Sequence, residues 1–400
     1  MNKDIKKILL VLAVFALSGG IFYNFQELWM AENNLSTQTI GTVYSLCALL
    51  SVSTIFLCSN IITKEKIKKL TLVFLFLKFI ILLFLFLLNN TGLNVLIKFL
   101  IMIDYVLDVE IYVLVYPLIT LITKSDRIYA MRGLVYSFAY YGGVVIISIL
   151  LGRHIGNFIF DYNFYNLMGS LLILVAFLVL KSVNMDKYCQ KEESKSNNNY
   201  DALYRVVKTV RFDKISMCYL LYVLTKGISY ICINALFITL LTNNLGFAAS
   251  SASIFKLVLG IVAVLVGALI LEKLTLKNNY INFLIKYGGR LLLFIMAFII
   301  NNKAMFLIAI IYARLLAESY THITDAPYIN RFSNDEQLAF SNFREMVEYL
   351  SKSIGSLICG FALTYGIKFN FLFASIFLVL GIYFGLKAMK FYNKEKNNDR

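Results

Sequence analysis

Long apolar runs, broken at short intervals by clusters of Lys, Glu, Asn and Ser, fill the chain from end to end. A helix needs roughly 20 apolar residues to cross a bilayer. The runs predict spans near residues 8–30, 37–62, 70–88, 93–122, 128–152 and 164–183, then a second set near 212–241, 246–272, 280–300, 303–326, 338–366 and 368–388. Continuous hydrophobicity with few alternating stretches predicts helices rather than a β-barrel. Twelve spans in 400 residues leave about 33 residues per helix and loop, so no room remains for a soluble domain. The expected fold class is an all-α membrane protein with 12 transmembrane helices in two pseudo-symmetric six-helix bundles. The first span follows Lys3, Lys6 and Lys7 as a signal peptide would, but continues through Gln26 and Glu27 to Trp29 without a small-residue cleavage site, and reads as retained.

The two sets repeat one another. The only prolines, Pro117 and Pro327, lie 327 − 117 = 210 positions apart. Around them stand YVLVYPLITLITKSDRIYAMRG and SYTHITDAPYINRFSNDEQLAFSNFR. Each reads as an apolar helix, a proline, a short charged loop and a new helix opening with Arg132 or Arg344. Gly20, Tyr23 and Leu35 correspond upstream to Gly227, Tyr230 and Leu245, at offsets of 207 to 210. Internal repeats of this kind are a transporter signature. The expected organisation is an N-terminal half at 1–183, a polar cytoplasmic linker at 184–211 containing KEESKSNNNYD, and a C-terminal half at 212–400.

Composition agrees with a bilayer as solvent: 60% of residues are hydrophobic and 15% charged, with a mean hydropathy of +0.74. The net charge of +15 could suggest a nucleic-acid partner, but its distribution does not. With the N-terminus inside, the outer loops hold only Arg153, Lys303 and Lys368, as the positive-inside rule requires. Both termini are expected in the cytoplasm. The six cysteines stand singly, without C-x-x-C, which indicates neither a metal site nor a disulfide framework. No P-loop occurs, and the only histidines, His154 and His322, lack ligand-spaced partners. The chain is therefore not expected to be an enzyme, to bind a cofactor or to use ATP directly.

Two stretches carry a family resemblance. SNIITKEKIKKL, residues 59–70, joins the second and third spans and holds Lys64, Lys66, Lys68 and Lys69, with Ser59 and Thr63 at the positions of a signature Gly and Asp. RGLVYSFAYYGGVVIISILLG, residues 132–152, is similar to a Gly-rich fifth helix of exporters, where glycines let backbones approach closely. Over its whole length the chain resembles the major facilitator superfamily, in its bacterial, drug-efflux-like form. The resemblance implies a monomer in the bacterial inner membrane, with spans one, four, seven and ten around a central cavity.

Charges inside those spans cost about 2.5 to 3.5 kcal/mol each at a helix centre, so they must be shielded from lipid. Arg314, Glu318, His322 and Asp325 fall at about 0°, 40°, 80° and 20° around the tenth span, a single stripe. Asp104 and Asp108 form an i, i+4 pair at the repeat equivalents of Arg314 and Glu318, while Glu110 points elsewhere. Asn24 and Glu27 sit on the first span, Lys226 and Asn234 on the seventh. These residues are the expected proton-coupling and substrate cavity; structural ion pairs, such as Asp104 with Arg314, are the alternative. Glu318 is the leading proton carrier with Glu27, since a carboxylate beside His322, which titrates near neutral pH, can exchange a proton at cellular pH. Asp325 is expected to pair locally. Lys286, Arg290 and Lys98 read as snorkelling, and Lys78 and Lys256 lie deeper with no assigned role. Arg132, Arg344 and Glu348, with Lys64 and Lys68, are the expected cytoplasmic gate, or else helix-stabilising pairs.

The function this implies is secondary transport, by proton-coupled alternating access, exporting a small amphipathic, drug-like or peptide-like solute. Uptake of a small zwitterion or organic anion is the alternative, and a non-transporting membrane sensor is a third reading. The expected partners are a small-molecule substrate, protons and the lipid bilayer.

Overall fold

The computed structural model describes residues 3–23, 26, 30, 35–61, 66–88, 94–122, 126–150, 154–155, 158–159, 162–185, 204, 206–210, 213–266, 278–316, 325–329, 331–332 and 334–398. In the first half these form α1 (Lys3–Tyr23), α2 (Thr37–Ile61), α3 (Ile67–Leu88), α4 (Asn94–Ile122), α5 (Asp126–Leu150) and α6 (Tyr162–Lys181). The second half supplies α7 (Lys214–Asn234), α8 (Ala249–Leu265), α9 (Asn279–Ile300), α10 (Lys303–Leu315), α11 (Asn334–Tyr365) and α12 (Ile367–Asn398). Among the described residues, eight helices are long and apolar enough to cross a membrane: α1, α2, α3, α6, α7, α9, α11 and α12. The protein is thus a multi-pass, all-α membrane protein. One feature without a sequence signal is a two-residue antiparallel pairing after α5, His154 opposite Ile159 and Ile155 opposite Phe158.

Asparagine and glycine shape two of the turns of the second half. Asn301 adopts φ 49°, ψ 47°, the left-handed conformation that asparagine tolerates, and ends α9. Asn302 then opens α10, its side chain accepting from the Met305 amide. Gly366, at φ 115°, separates α11 from α12.

Several helices depart from their expected bounds. Both α5 and α11 start well before Arg132 and Arg344, so these arginines lie within helices rather than opening them. The seventh span is not one continuous helix to 241: α7 stops at Asn234, and a helical turn (Phe237–Thr239) and a π turn (Leu240–Asn244) follow. The Asn234 amide donates to the Tyr230 carbonyl at 2.8 Å, a back-bond that competes with the helix ladder and accompanies bends. α12 runs ten residues past its expected end at 388, through the charged tail.

Contacts gather the chain into two units. Unit 1 comprises Met1–Asn34, Ile61–Ser196 and Phe247–Leu257; unit 2 comprises Leu35–Asn60, Asn197–Gly246 and Val258–Arg400. In unit 1, α1 packs on α5 and α6, and α3 packs on α6 and α4. In unit 2, α7 packs on α12 and α11, and α9 on α12 and α10. The repeat is visible in the packing. A Cβ on Gly20 would strike the Tyr140 carbonyl and lie 3.2 Å from Gly143 Cα, so α1 crosses α5 at backbone contact. The equivalent Gly227 of α7 abuts Ser351 of α11, at offsets of 207 and 208 from Gly20 and Gly143. Within unit 2, residue 37–60 helix α2 approaches α11 just as closely, through Gly41 and Gly360 and a 3.0 Å hydrogen bond between Ser45 and Ser353.

Burial on α9 shows how the bilayer inverts the usual pattern. Ile281, Leu284, Leu292, Ile295 and Ile299 are exposed, while Lys286, Tyr287 and Arg290 are buried. Apolar residues face outward where lipid is the solvent, and polar ones turn toward protein.

Candidate functional site

Buried charged groups gather within each unit. In unit 1, Asp104 and Asp108 project from the same face of α4, four residues apart, toward Lys78 of α3. Lys78 Nζ donates to Asp104 Oδ1 at 2.8 Å and lies 3.4 Å from Asp108 Oδ1. The side chains of Lys78 and Asp104 are 1% and 0% exposed, whereas Asp108 is 20% exposed. One base therefore serves two carboxylates, and the group carries a net negative charge when both are ionised. Asp104 takes Lys78 as its partner, and Arg314 makes its contacts within unit 2. Glu110 is buried, on another face of α4.

In unit 2 the cluster centres on Asp325, which reaches partners on two other elements. Tyr219 of α7 donates its hydroxyl to Asp325 Oδ1 at 2.8 Å and accepts from Arg344 Nε of α11 at 3.0 Å. Lys226 Nζ and Arg344 Nε lie 3.6 and 3.8 Å from the same carboxylate oxygen. Arg344 also meets Glu348 at 3.3 Å, and Glu348 meets Lys352 at 3.8 Å. Arg344 and Glu348, expected from the sequence at a gate, are thus joined in one network with Lys226, expected in the cavity. Lys68 is placed differently: its ammonium donates to the Val183 carbonyl at 2.6 Å, and Lys7 donates to the Ser182 carbonyl at 2.8 Å. Both lysines cap the C-terminal end of α6, where orphan carbonyls and the helix dipole favour cations.

Beside the Asp325 network lies a basic and aromatic group that sequence reasoning missed. Lys286 and Arg290 do not snorkel; each is 3% exposed, on the protein-facing side of α9. Tyr222 and Tyr287 share a hydroxyl–hydroxyl hydrogen bond at 2.6 Å, with Lys226 Nζ 4.6 Å from the Tyr222 ring and the Arg290 guanidinium carbon 5.6 Å from the Tyr287 ring. Arg314, in the last turn of α10, places its guanidinium carbon 5.4 Å from the Tyr230 ring and 5.3 Å from that of Phe237.

Outside the spans, Asp213 caps α7, accepting from the Ile215 and Ser216 amides, and meets Arg331 at 2.7 Å. Arg331 also reaches Glu395 at 2.9 Å. Partial burial acts to raise the Asp213 pKa, but the Ser216 and Arg331 hydrogen bonds outweigh it and hold the carboxyl below its ordinary value. Asn24, Glu27, Glu318, His322 and Lys64, and the side chain of Arg132, lie outside the described residues.

No protein-family model matches the chain, and no curated protein matches it in sequence. Solved structures do match in shape. The nucleoside transporter NupG is 14% identical with a TM-score of 0.65, covering 98% of this chain and 99% of its own. A D-xylose-proton symporter is 12% identical with a TM-score of 0.69, over 96% of this chain and 95% of its own. The human organic anion transporter MFSD10 is 11% identical with a TM-score of 0.60, over 96% of this chain and all, 100%, of its own. Apolar spans, a repeat whose glycines pack at equivalent crossings, and near-complete alignment with these structures give one conclusion: the chain has the major facilitator superfamily transporter fold.

Proposed function

We propose that the chain is a secondary transporter that moves a small solute by alternating access, coupled to protons through Asp108, Lys78 and Asp104. The observation that carries this reading is the sharing of Lys78 by two carboxylates, one fully buried and one 20% exposed. Asp104, at 2.8 Å, holds the lysine. Asp108, the more exposed of the two carboxylates, takes up and releases the proton, switching the group between neutral and net negative. Net charge inside a membrane protein is costly unless water or a partner compensates it. The protonated and deprotonated states therefore favour different arrangements of the surrounding helices, which is the differential interaction that coupling requires. That a symporter coupled to protons and an organic anion transporter share the fold supports the reading. Glu318 and Glu27 remain candidate additional carriers on their positions in spans ten and one.

The test is flux in proteoliposomes under imposed pH gradients of either sign. Solute accumulation driven by a proton gradient is expected in the wild type, and its abolition in Asp108→Asn, with solute exchange at equal pH retained. The gradient sign that drives accumulation separates export from uptake. Gradient-driven accumulation unchanged in Asp108→Asn would remove that residue as the carrier.

A further inference from the structure

The two halves differ in charge at equivalent positions, and the difference points to the solute. Lys78 and Asp104 pair in unit 1. Their repeat equivalents, at offsets of 208 and 210, are Lys286 and Arg314, so a carboxylate position of one half is a guanidinium position of the other. The described carboxylates of the adjacent network, Asp325 and Glu348, are engaged by Lys226, Arg344 and Lys352.

Arg290 and Arg314 both gather at Tyr230. Their guanidinium carbons lie 6.0 and 5.4 Å from its ring centroid. Arg290, 3% exposed, donates from Nη2 to the Ala313 carbonyl at 2.8 Å, and among the described residues its buried Nε has no hydrogen-bond partner. Arg314 makes ring contacts and, among the described residues, no hydrogen bond or ion pair. A ring face attracts a cation more weakly than a carboxylate does, and the buried Arg290 guanidinium with its unused donor is costly, while Arg314 beside it is half-buried. Such a fork is matched by a planar or tetrahedral anion that accepts two hydrogen bonds at once.

We propose that Arg290 and Arg314, beside the Tyr230 ring, seat the anionic group, carboxylate or phosphate, of the transported solute. This rests on the transport reading above and adds the substrate's chemical class. The aromatic wall of Tyr230, Phe237 and Tyr287 fits a solute whose anionic end is joined to a flat or apolar body.

The experiment uses the purified full-length protein in detergent. Thermal unfolding is followed by a thiol-reactive dye on the buried free cysteines Cys232 and Cys359, which belong to the same unit. The probes are benzoate and phenyl phosphate, with benzamide as the neutral counterpart. The anions are expected to raise the melting temperature in a saturable way that benzamide does not reproduce; the preferred anion distinguishes carboxylate from phosphate. Apparent affinity should fall about tenfold or more in Arg314→Gln, recover in part in Arg314→Lys, and stay at the wild-type value in Lys368→Gln. Arg290→Gln should act like Arg314→Gln; since Arg290 also holds the end of α10, Arg314→Gln decides if that variant fails to fold. Equal shifts from benzamide, no shift from either anion, or undiminished affinity in Arg314→Gln would each overturn the proposal. Flux of the same probes in liposomes separates the two readings. Selective binding without flux sinks the transport reading and leaves the seat, whereas flux of a neutral solute without anion binding does the reverse.

Discussion

Replacing Lys78 by methionine tests whether one base compensates two buried carboxylates. Methionine keeps the length and apolar stem of the side chain and removes the charge. Asp104, 0% exposed, would lose its 2.8 Å donor, and Asp108 its 3.4 Å neighbour. Breaking a buried pair from one side costs about 3 to 5 kcal/mol. Taking the unfolding entropy of globular domains, about 2.1 cal/mol/K per residue over 400 residues, a loss of that size lowers the melting temperature by about 4 to 6 °C. Asp104→Asn removes a charge-assisted hydrogen bond but leaves Lys78 with Asp108, for a loss of about 1.5 to 3 kcal/mol. The double variant Lys78→Met/Asp104→Asn should be more stable than Lys78→Met alone, because the carboxylate then left is the more exposed of the two. Size-exclusion chromatography after heating, across the four proteins of the cycle, gives the comparison. A melting temperature for Lys78→Met within 1 °C of wild type, or a double variant no better than the single, would refute the reasoning; both thresholds follow from the same entropy scale.

Two further predictions concern packing and capping. A Cβ at Gly143 would lie 2.8 Å from the Ile21 amide nitrogen and strike the Leu17 carbonyl, whereas at Gly142 the nearest atom is a movable Leu17 methyl at 3.6 Å. Gly143→Val should therefore abolish monodisperse expression, and Gly142→Ala should leave it intact. Asp213→Asn keeps a capping oxygen but removes the charge that faces Arg331 and the α7 N-terminus, and should cost on the order of 1 kcal/mol. Because the folded carboxyl sits below its ordinary value of 3.8, its contribution is complete above that value and disappears as pH falls through the lower, folded one. The gap in melting temperature between wild type and Asp213→Asn should thus be flat from pH 5 to 7 and close only as pH drops below 3.8; a gap independent of pH would contradict the ion-pair account.

Much of the fold was legible because the bilayer imposes a length and an apolar composition on every crossing. The turn at Asn301 and Asn302 and the break at Gly366 fell where the apolar runs ended. The Lys78–Asp104 pair was also within reach. Lys78 stands ten residues before the end of α3 and Asp104 ten after the start of α4, so in consecutive antiparallel helices they share one depth. Depth does not give azimuth, however, and the roles of Lys286 and Arg290 depended on which face of α9 meets protein. Read by distance from the membrane surface they looked like snorkelling side chains; read by burial they are interior.

The sequence by itself determined that this chain lives in lipid and runs through it as helices. These properties follow from solvent transfer and chain length, which are local and additive. Only the tertiary structure decided which charge meets which: Asp104 with Lys78, Asp325 with Tyr219, Lys226 and Arg344, and two guanidiniums at Tyr230. An electrostatic partner is set by the rotation and crossing of packed helices to within an ångström or so, and hydrophobic periodicity leaves that rotation open wherever a helix is apolar all round.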